Sequence, residues 1–114
     1  ENGEYKKALK IANELGGVYL LRVYRVTKEY KKGAKLALKL YNKTKNLSFL
    51  VEWGFFNYFA NKNEKSAKEV VEKLLPFVDK IKNDAVYNFV GYLMIEYDID
   101  IKKGLEFVRK ALLI

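Results

Sequence analysis

The sequence predicts an all-α fold of helical hairpins stacked as a solenoid, and three observations carry that expectation. Apolar residues recur at threes and fours almost throughout, strand-like alternation is hard to find, and the single proline stands at position 76. Shifting the chain by 37 residues against itself brings Gly17, Gly54 and Gly91 into one column and Lys28, Lys65 and Lys102 into another. Ala34, Val71 and Val108 form a third column, Ala37, Leu74 and Ala111 a fourth, and Leu38, Leu75 and Leu112 a fifth. A two-helix repeat of this length buries its apolar face only by stacking on its neighbours.

The first 28 residues admit two readings. Gly16-Gly17 either ends a helix running from about Tyr5 to Leu15, because glycine accepts the left-handed geometry of a helix C-terminus, or sits within one long helix reaching about Val26. The break is the preferred reading. Helices then follow from about Tyr30 to Asn42, Ser48 to Ala60, Ser66 to Leu75, Ala85 to Tyr97 and Lys102 to Ile114. The turns between them fall at Asn42 to Ser48, Asn61-Lys62-Asn63, Asn83-Asp84 and Asp98-Ile99-Asp100, residue types that cap helices or hydrogen-bond their own backbone. Pro76 either kinks the helix begun near Ser66 or opens a separate turn from Pro76 to Lys82. Connections this short make consecutive helices antiparallel hairpins.

Composition narrows the chemistry. The 114 residues make room for one domain, and 50% of them are hydrophobic, enough for a core without staples. There is no Cys and no His, so disulfides, thiolate nucleophiles, Cys-containing zinc sites and the usual neutral-pH proton shuttle are excluded. An enzyme would have to work with carboxylates, Lys, Tyr or Ser. Phosphate loops, dinucleotide fingerprints and nucleophile elbows are absent, and Glu96, Asp98 and Asp100 lack the Gly and distal Glu of a calcium loop. The reading that fits those acids is a solvated turn whose Asp caps the helix beginning near Lys102. No enzymatic activity and no cofactor or metal is expected.

Lys and Arg number 22 against 14 Asp and Glu, a formal charge of +8 that favours acidic neighbours. Only Arg22, Arg25 and Arg109 are arginines, whereas phosphate and base-edge recognition favours the guanidinium fork. The longest aromatic and apolar stretch, Ser48 to Ala60, contains Glu52 and is too short to span a bilayer. The chain opens with Glu1 and carries no basic-then-apolar export segment, so it is expected to be a piece of a longer protein.

The last 30 residues, AVYNFVGYLMIEYDIDIKKGLEFVRKALLI, resemble a tetratricopeptide repeat. Tyr87, Val90 and Gly91 match the first helix of that unit, and Gly104, Val108 and Ala111-Leu112 match the second. Small residues belong where two helices cross closely. NGEYKKAL near the start and Glu29 to Gly33 resemble the opening of a second helix, while the middle unit keeps Gly54 and Ala67 but has Trp53 where Val90 would stand. The resemblance implies one domain over residues 1–114, a right-handed α-solenoid of about three antiparallel hairpins, acting as a non-catalytic scaffold for a protein or peptide partner. The end of the chain is also similar to repeats common in bacterial envelope and assembly proteins.

In such a solenoid the first helix of each hairpin lines a concave groove. That carry-over makes Phe55 and Tyr92 groove residues, with Val51 and Asn88 one turn before and Tyr58 and Ile95 one turn after; Arg22 and Arg25 add a basic rim. The alternative is that these aromatics fill the core, the more so for Trp53 and Phe56, because aromatic stripes at helical spacing are usually buried. Corresponding positions are too apolar here for the Lys and Asn clamp with which some members of the family hold a C-terminal carboxylate.

A second feature is Lys28, Lys32, Lys35, Lys39 and Lys43, whose spacing puts five ammonium groups on one helix face. Such a face is either solvated or meets an acidic protein, anionic lipid or RNA. Nucleic acid is disfavoured, since the aromatic run EWGFFNYFA contains no cation to interleave with its rings. The apolar finish Ala111-Leu112-Leu113-Ile114 implies either further repeats or self-association through the array ends.

Overall fold

A computed structural model describes residues 15–114, and among them every regular element is a helix. Residues 15–26 are helical (α1), followed by α2 (Tyr30–Thr44), α3 (Leu47–Asn61), α4 (Glu64–Leu74), a 3₁₀ turn over Leu75–Phe77, α5 (Val78–Ile81), α6 (Asp84–Glu96) and α7 (Ile101–Leu112). The helices pack in adjacent pairs. Helix α6 starts 37 residues after α3, at 84 against 47, and α7 starts 37 after α4, at 101 against 64. The offset found in the sequence is thus also the offset between these two pairs of helix starts, whereas α2 starts 34 residues before α4, at 30 against 64. Two compact units divide the chain, one ending at Phe56 and the other running from Asn57 to Ile114.

Gly16 and Gly17 lie inside α1 instead of ending a helix, which corrects the preferred expectation; the Tyr5 to Leu15 helix falls, but for Leu15, outside the described residues. Packing explains the outcome at Gly17. A Cβ there would stand 3.0 and 3.1 Å from the two methyl carbons of Leu40, so the missing side chain lets α1 approach α2. Pro76 occupies the 3₁₀ turn, and the chain continues into α5, close to the separate-turn reading.

Three connections use one device. Lys45, Lys62 and Lys82 adopt the left-handed conformation, with φ of 59°, 44° and 48°, and each is followed at once by an asparagine that turns the chain into the next helix. The lysine N–H closes the outgoing helix by donating to Tyr41, Tyr58 or Val78 carbonyl oxygens at 2.7, 2.6 and 3.1 Å. The asparagine side chain then accepts an early N–H of the incoming helix: Asn46 from Ser48, Asn63 from Ser66 and Asn83 from Val86. Asp100 does the same for α7 through the Lys103 N–H at 3.0 Å, as the turn residues predicted. Lysine gains nothing from φ > 0, so Lys82→Gly should stabilise the protein by about 0.5–1 kcal/mol. Glu72→Gly, within α4, should cost about 1 kcal/mol in the same chemical denaturation series.

In the first unit, α2 buries Gly33, Ala37 and Leu40. A Cβ at Gly33 would overlap the ring of Phe56, so α2 and α3 meet at a glycine and an aromatic. Leu50, Trp53 and Phe56 of α3 are buried with them. In the second unit, α6 and α7 cross at Gly91 and Gly104, where a Cβ on either glycine would lie 2.8 Å from the carbonyl oxygen of the other. Phe107, 1% exposed, fills the space beside this crossing against the Tyr87 ring, with centroids 5.6 Å apart.

Candidate functional site

Arg22 and Arg25 project from one side of α1, three residues apart, and Ser48, Phe49 and Glu52 come from the first turns of α3. Together with Val18 and Leu21 they line a cavity of about 220 Å³ within the first unit. Small-molecule sites typically occupy roughly 300–1,000 Å³, so this one suits a single side chain better than a cofactor. Its apolar part is Val18, Leu21 and Phe49, and its charged rim is Arg22, Arg25 and Glu52.

The two arginines have different tasks. Arg25 pairs with Glu52 and lies 5.9 Å from the Phe56 ring centroid, so it is engaged within the protein. Arg22 is exposed and has no ion-pair partner among the described residues. Ser48, Val51, Glu52 and Phe55 follow the i, i+3, i+4, i+7 spacing of one helix face. The half-buried Val51 and Phe55 therefore continue from the cavity wall along α3.

In the second unit Asn88 and Tyr92 are exposed and one turn apart on α6, Tyr92 at 46%. Tyr58 needs correction as a groove residue. Tyr58 is buried, edge-on to Phe89 and Tyr97, and its hydroxyl shares a 2.7 Å hydrogen bond with the hydroxyl of Tyr97. Burial first, and then that hydrogen bond, push the Tyr58 hydroxyl far above the ordinary tyrosine range, so it stays neutral and structural. Ile95 is half-buried and lies against α7, its Cγ1 2.8 Å from where a Gly104 Cβ would stand.

Lys32, Lys35, Lys39 and Lys43 are exposed on one face of α2. Lys28 is not on that face: it sits in a left-handed turn, φ 59°, two residues before the helix begins. Lys32 bonds Glu29 at 3.1 Å, and that hydrogen bond raises its pKa above the usual lysine value.

Two polar clusters escaped the sequence reading. Asp79 accepts from Tyr87 at 2.8 Å and from Lys110 at 2.9 Å, tying α5, α6 and α7 together; the lysine bond chiefly, then the tyrosine bond, hold its carboxyl below the ordinary range. Each member is thereby engaged in holding helices together. A polar hollow of about 320 Å³ is lined by Asn57, Asn61, Asn63, Lys65, Ser66 and Glu69. Its amides are already used, Asn57 donating to Glu69 at 3.0 Å, Asn61 to the Asn57 carbonyl at 3.2 Å, and Asn63 capping α4.

Among the described residues, no helix is long and apolar enough to cross a membrane. No family model, curated protein or solved structure matches this chain.

Proposed function

We propose that the chain is a non-catalytic scaffold of tetratricopeptide-like helical repeats, a right-handed solenoid, that binds a protein or peptide partner. The observation that carries this reading is the cavity of the first unit, an apolar hollow whose rim holds Arg22, an arginine with no ion-pair partner among the described residues. It suits an extended segment that inserts one apolar side chain and sets a carboxylate against Arg22. Val51 and Phe55 would extend the contact along α3, and Asn88 and Tyr92 offer a second patch on α6. The 37-residue offset from α3 to α6 and from α4 to α7 supports the repeat architecture.

Magnitudes bound the affinity. Burying one apolar side chain contributes about 1.5–3 kcal/mol and a charge-assisted hydrogen bond about 1.5–3 kcal/mol. One such contact alone gives binding near the millimolar range, and the further contact along Val51 and Phe55 is needed to reach the micromolar.

The test is a calorimetric titration with a synthetic peptide alternating Leu and Glu, against a control in which Lys replaces Glu. The acidic peptide should bind saturably, Arg22→Glu should weaken it roughly tenfold, which is about 1.4 kcal/mol, and Phe55→Ala should weaken it further. Lys39→Glu should leave it within about a factor of two. Binding lost in Lys39→Glu but kept in Arg22→Glu would move recognition to the lysine face, and with it the partner towards RNA or anionic lipid. Failure of both peptides to bind would contradict the cavity as a recognition site.

A further inference from the structure

We infer that the α1–α2 hairpin docks on the surface of an anionic lipid bilayer through the face it turns away from α3. The charge of the chain is not spread evenly. Residues 15–46 hold nine Lys and Arg against one acid, Glu29, whereas the rest of the chain holds 13 of each sign, so the whole formal charge of +8 falls on this hairpin and the turn after it. Helix α3 lies on one side of the hairpin. It meets α1 at the cavity, through Val18, Leu21, Arg22 and Arg25, and meets α2 at Gly33, where a Cβ would overlap the Phe56 ring. At about 100° per residue, Leu20 and Val23 straddle the opposite side of α1, and Lys31, Lys35 and Lys39 lie roughly 120–160° round α2 from Gly33. All five are exposed, Leu20 at 40% and Val23 at 51%, and the three lysines have no ion-pair partner among the described residues.

The occupant follows from this mixture of free cations and aliphatic side chains. A nucleic-acid duplex gives Leu20 and Val23 no apolar surface to enter, and a single strand needs rings between its cations, which the line Lys31, Lys35 and Lys39 does not have. A folded acidic partner has to place its carboxylates in register with each ammonium. Anionic headgroups move laterally and meet lysines, point charges on flexible stems, wherever they stand. The acyl boundary just beneath them accepts leucine and valine, as it does for helices that lie in the plane of the interface. Attachment of this kind rests on the surface without spanning it, in keeping with the absence, among the described residues, of any helix long and apolar enough to cross. The face is separate from the cavity between α1 and α3, so it adds a second contact to the proposed scaffold and does not depend on it. Each lysine near an anionic surface is worth roughly fivefold in affinity, and three together roughly a hundredfold.

Co-sedimentation of the whole chain with vesicles tests this, using phosphatidylcholine alone and phosphatidylcholine with about 30% phosphatidylglycerol. The chain should bind the anionic vesicles only, and at least roughly tenfold more weakly when salt rises from about 0.05 M to about 0.5 M. Reversing two charges together, Lys35→Glu with Lys39→Glu, should weaken binding at least roughly twenty-fivefold while circular dichroism keeps the helical signal. The same reversals at the exposed Lys80 and Lys102 of the second unit should leave it within about threefold, which separates this face from net charge. Fluorescence of the variant Val23→Trp should shift to shorter wavelength on binding, because that position enters the headgroup boundary. No binding to anionic vesicles, binding that survives the Lys35 and Lys39 reversals, or an unshifted Val23→Trp spectrum would overturn the inference. Tighter binding to a single-stranded oligonucleotide than to the vesicles would overturn it too, and assign the face to nucleic acid.

Discussion

Phe107→Ala should cost about 3–5 kcal/mol of folding stability, the largest loss expected from any single truncation in the second unit. The ring is 1% exposed, its centroid lies 5.6 Å from that of Tyr87, and the ammonium groups of Lys103 and Lys110 stand 5.5 and 5.7 Å from its centre. Truncation removes the transfer free energy of the ring and leaves a void beside the Gly91–Gly104 crossing. The glycines there cannot fill the void, since α6 and α7 are already at backbone contact. Phe107→Leu keeps most of the volume and should cost under about 1.5 kcal/mol. Guanidinium denaturation of the two variants checks the pair. Equal losses would mean that packing at this position is not limiting.

Gly91→Ala and Gly104→Ala should each destabilise the protein by about 1–3 kcal/mol, against the intrinsic preference of a helix for alanine. The added Cβ would lie 2.8 Å from a carbonyl oxygen of the opposing helix, and a backbone oxygen cannot rotate away as a side-chain tip can. Gly104 is the tighter site, because Ile95 Cγ1 at 2.8 Å and Met94 Cβ at 3.1 Å also meet the new atom. Gly16→Ala is the counter-experiment. Among the described residues nothing lies within 4 Å of its Cβ position in α1, so the same change there should stabilise by about 0.5–1 kcal/mol. Opposite signs for one chemical substitution separate close helix crossing from helix propensity. Stabilisation at all three sites would refute the close crossing.

The helices were legible because their signals are local. Capping chemistry at Asn63, Asn83 and Asp100 put the predicted starts within about two residues of those observed. Gly16-Gly17 misled because a glycine pair has the same local chemistry at a helix end and at a helix contact, and only the opposing Leu40 decides. The lysines at φ > 0 carry no sequence signal, since lysine has no preference for that geometry.

The site was legible in part. Arg22 and Arg25 stood out as two of three arginines, but their apolar neighbours did not. Periodicity places residues on faces and says nothing about which faces meet, so the pairing of Arg25 with Glu52, 27 residues away, was out of its reach. Glu52 was the one signal available, as the only charge in an apolar run. Tyr58 shared a helical face with groove candidates, yet it closes on Tyr97.

Amide and arginine side-chain resonances followed by nuclear magnetic resonance during titration with the Leu-Glu peptide test the central claim most directly. The proposed function predicts that saturable shifts centre on Val18, Leu21, Arg22, Ser48, Phe49 and Glu52, with the Arg22 side-chain N–H among the largest. Shifts confined to Lys32, Lys35, Lys39 and Lys43, or no saturable shifts at all, would contradict it.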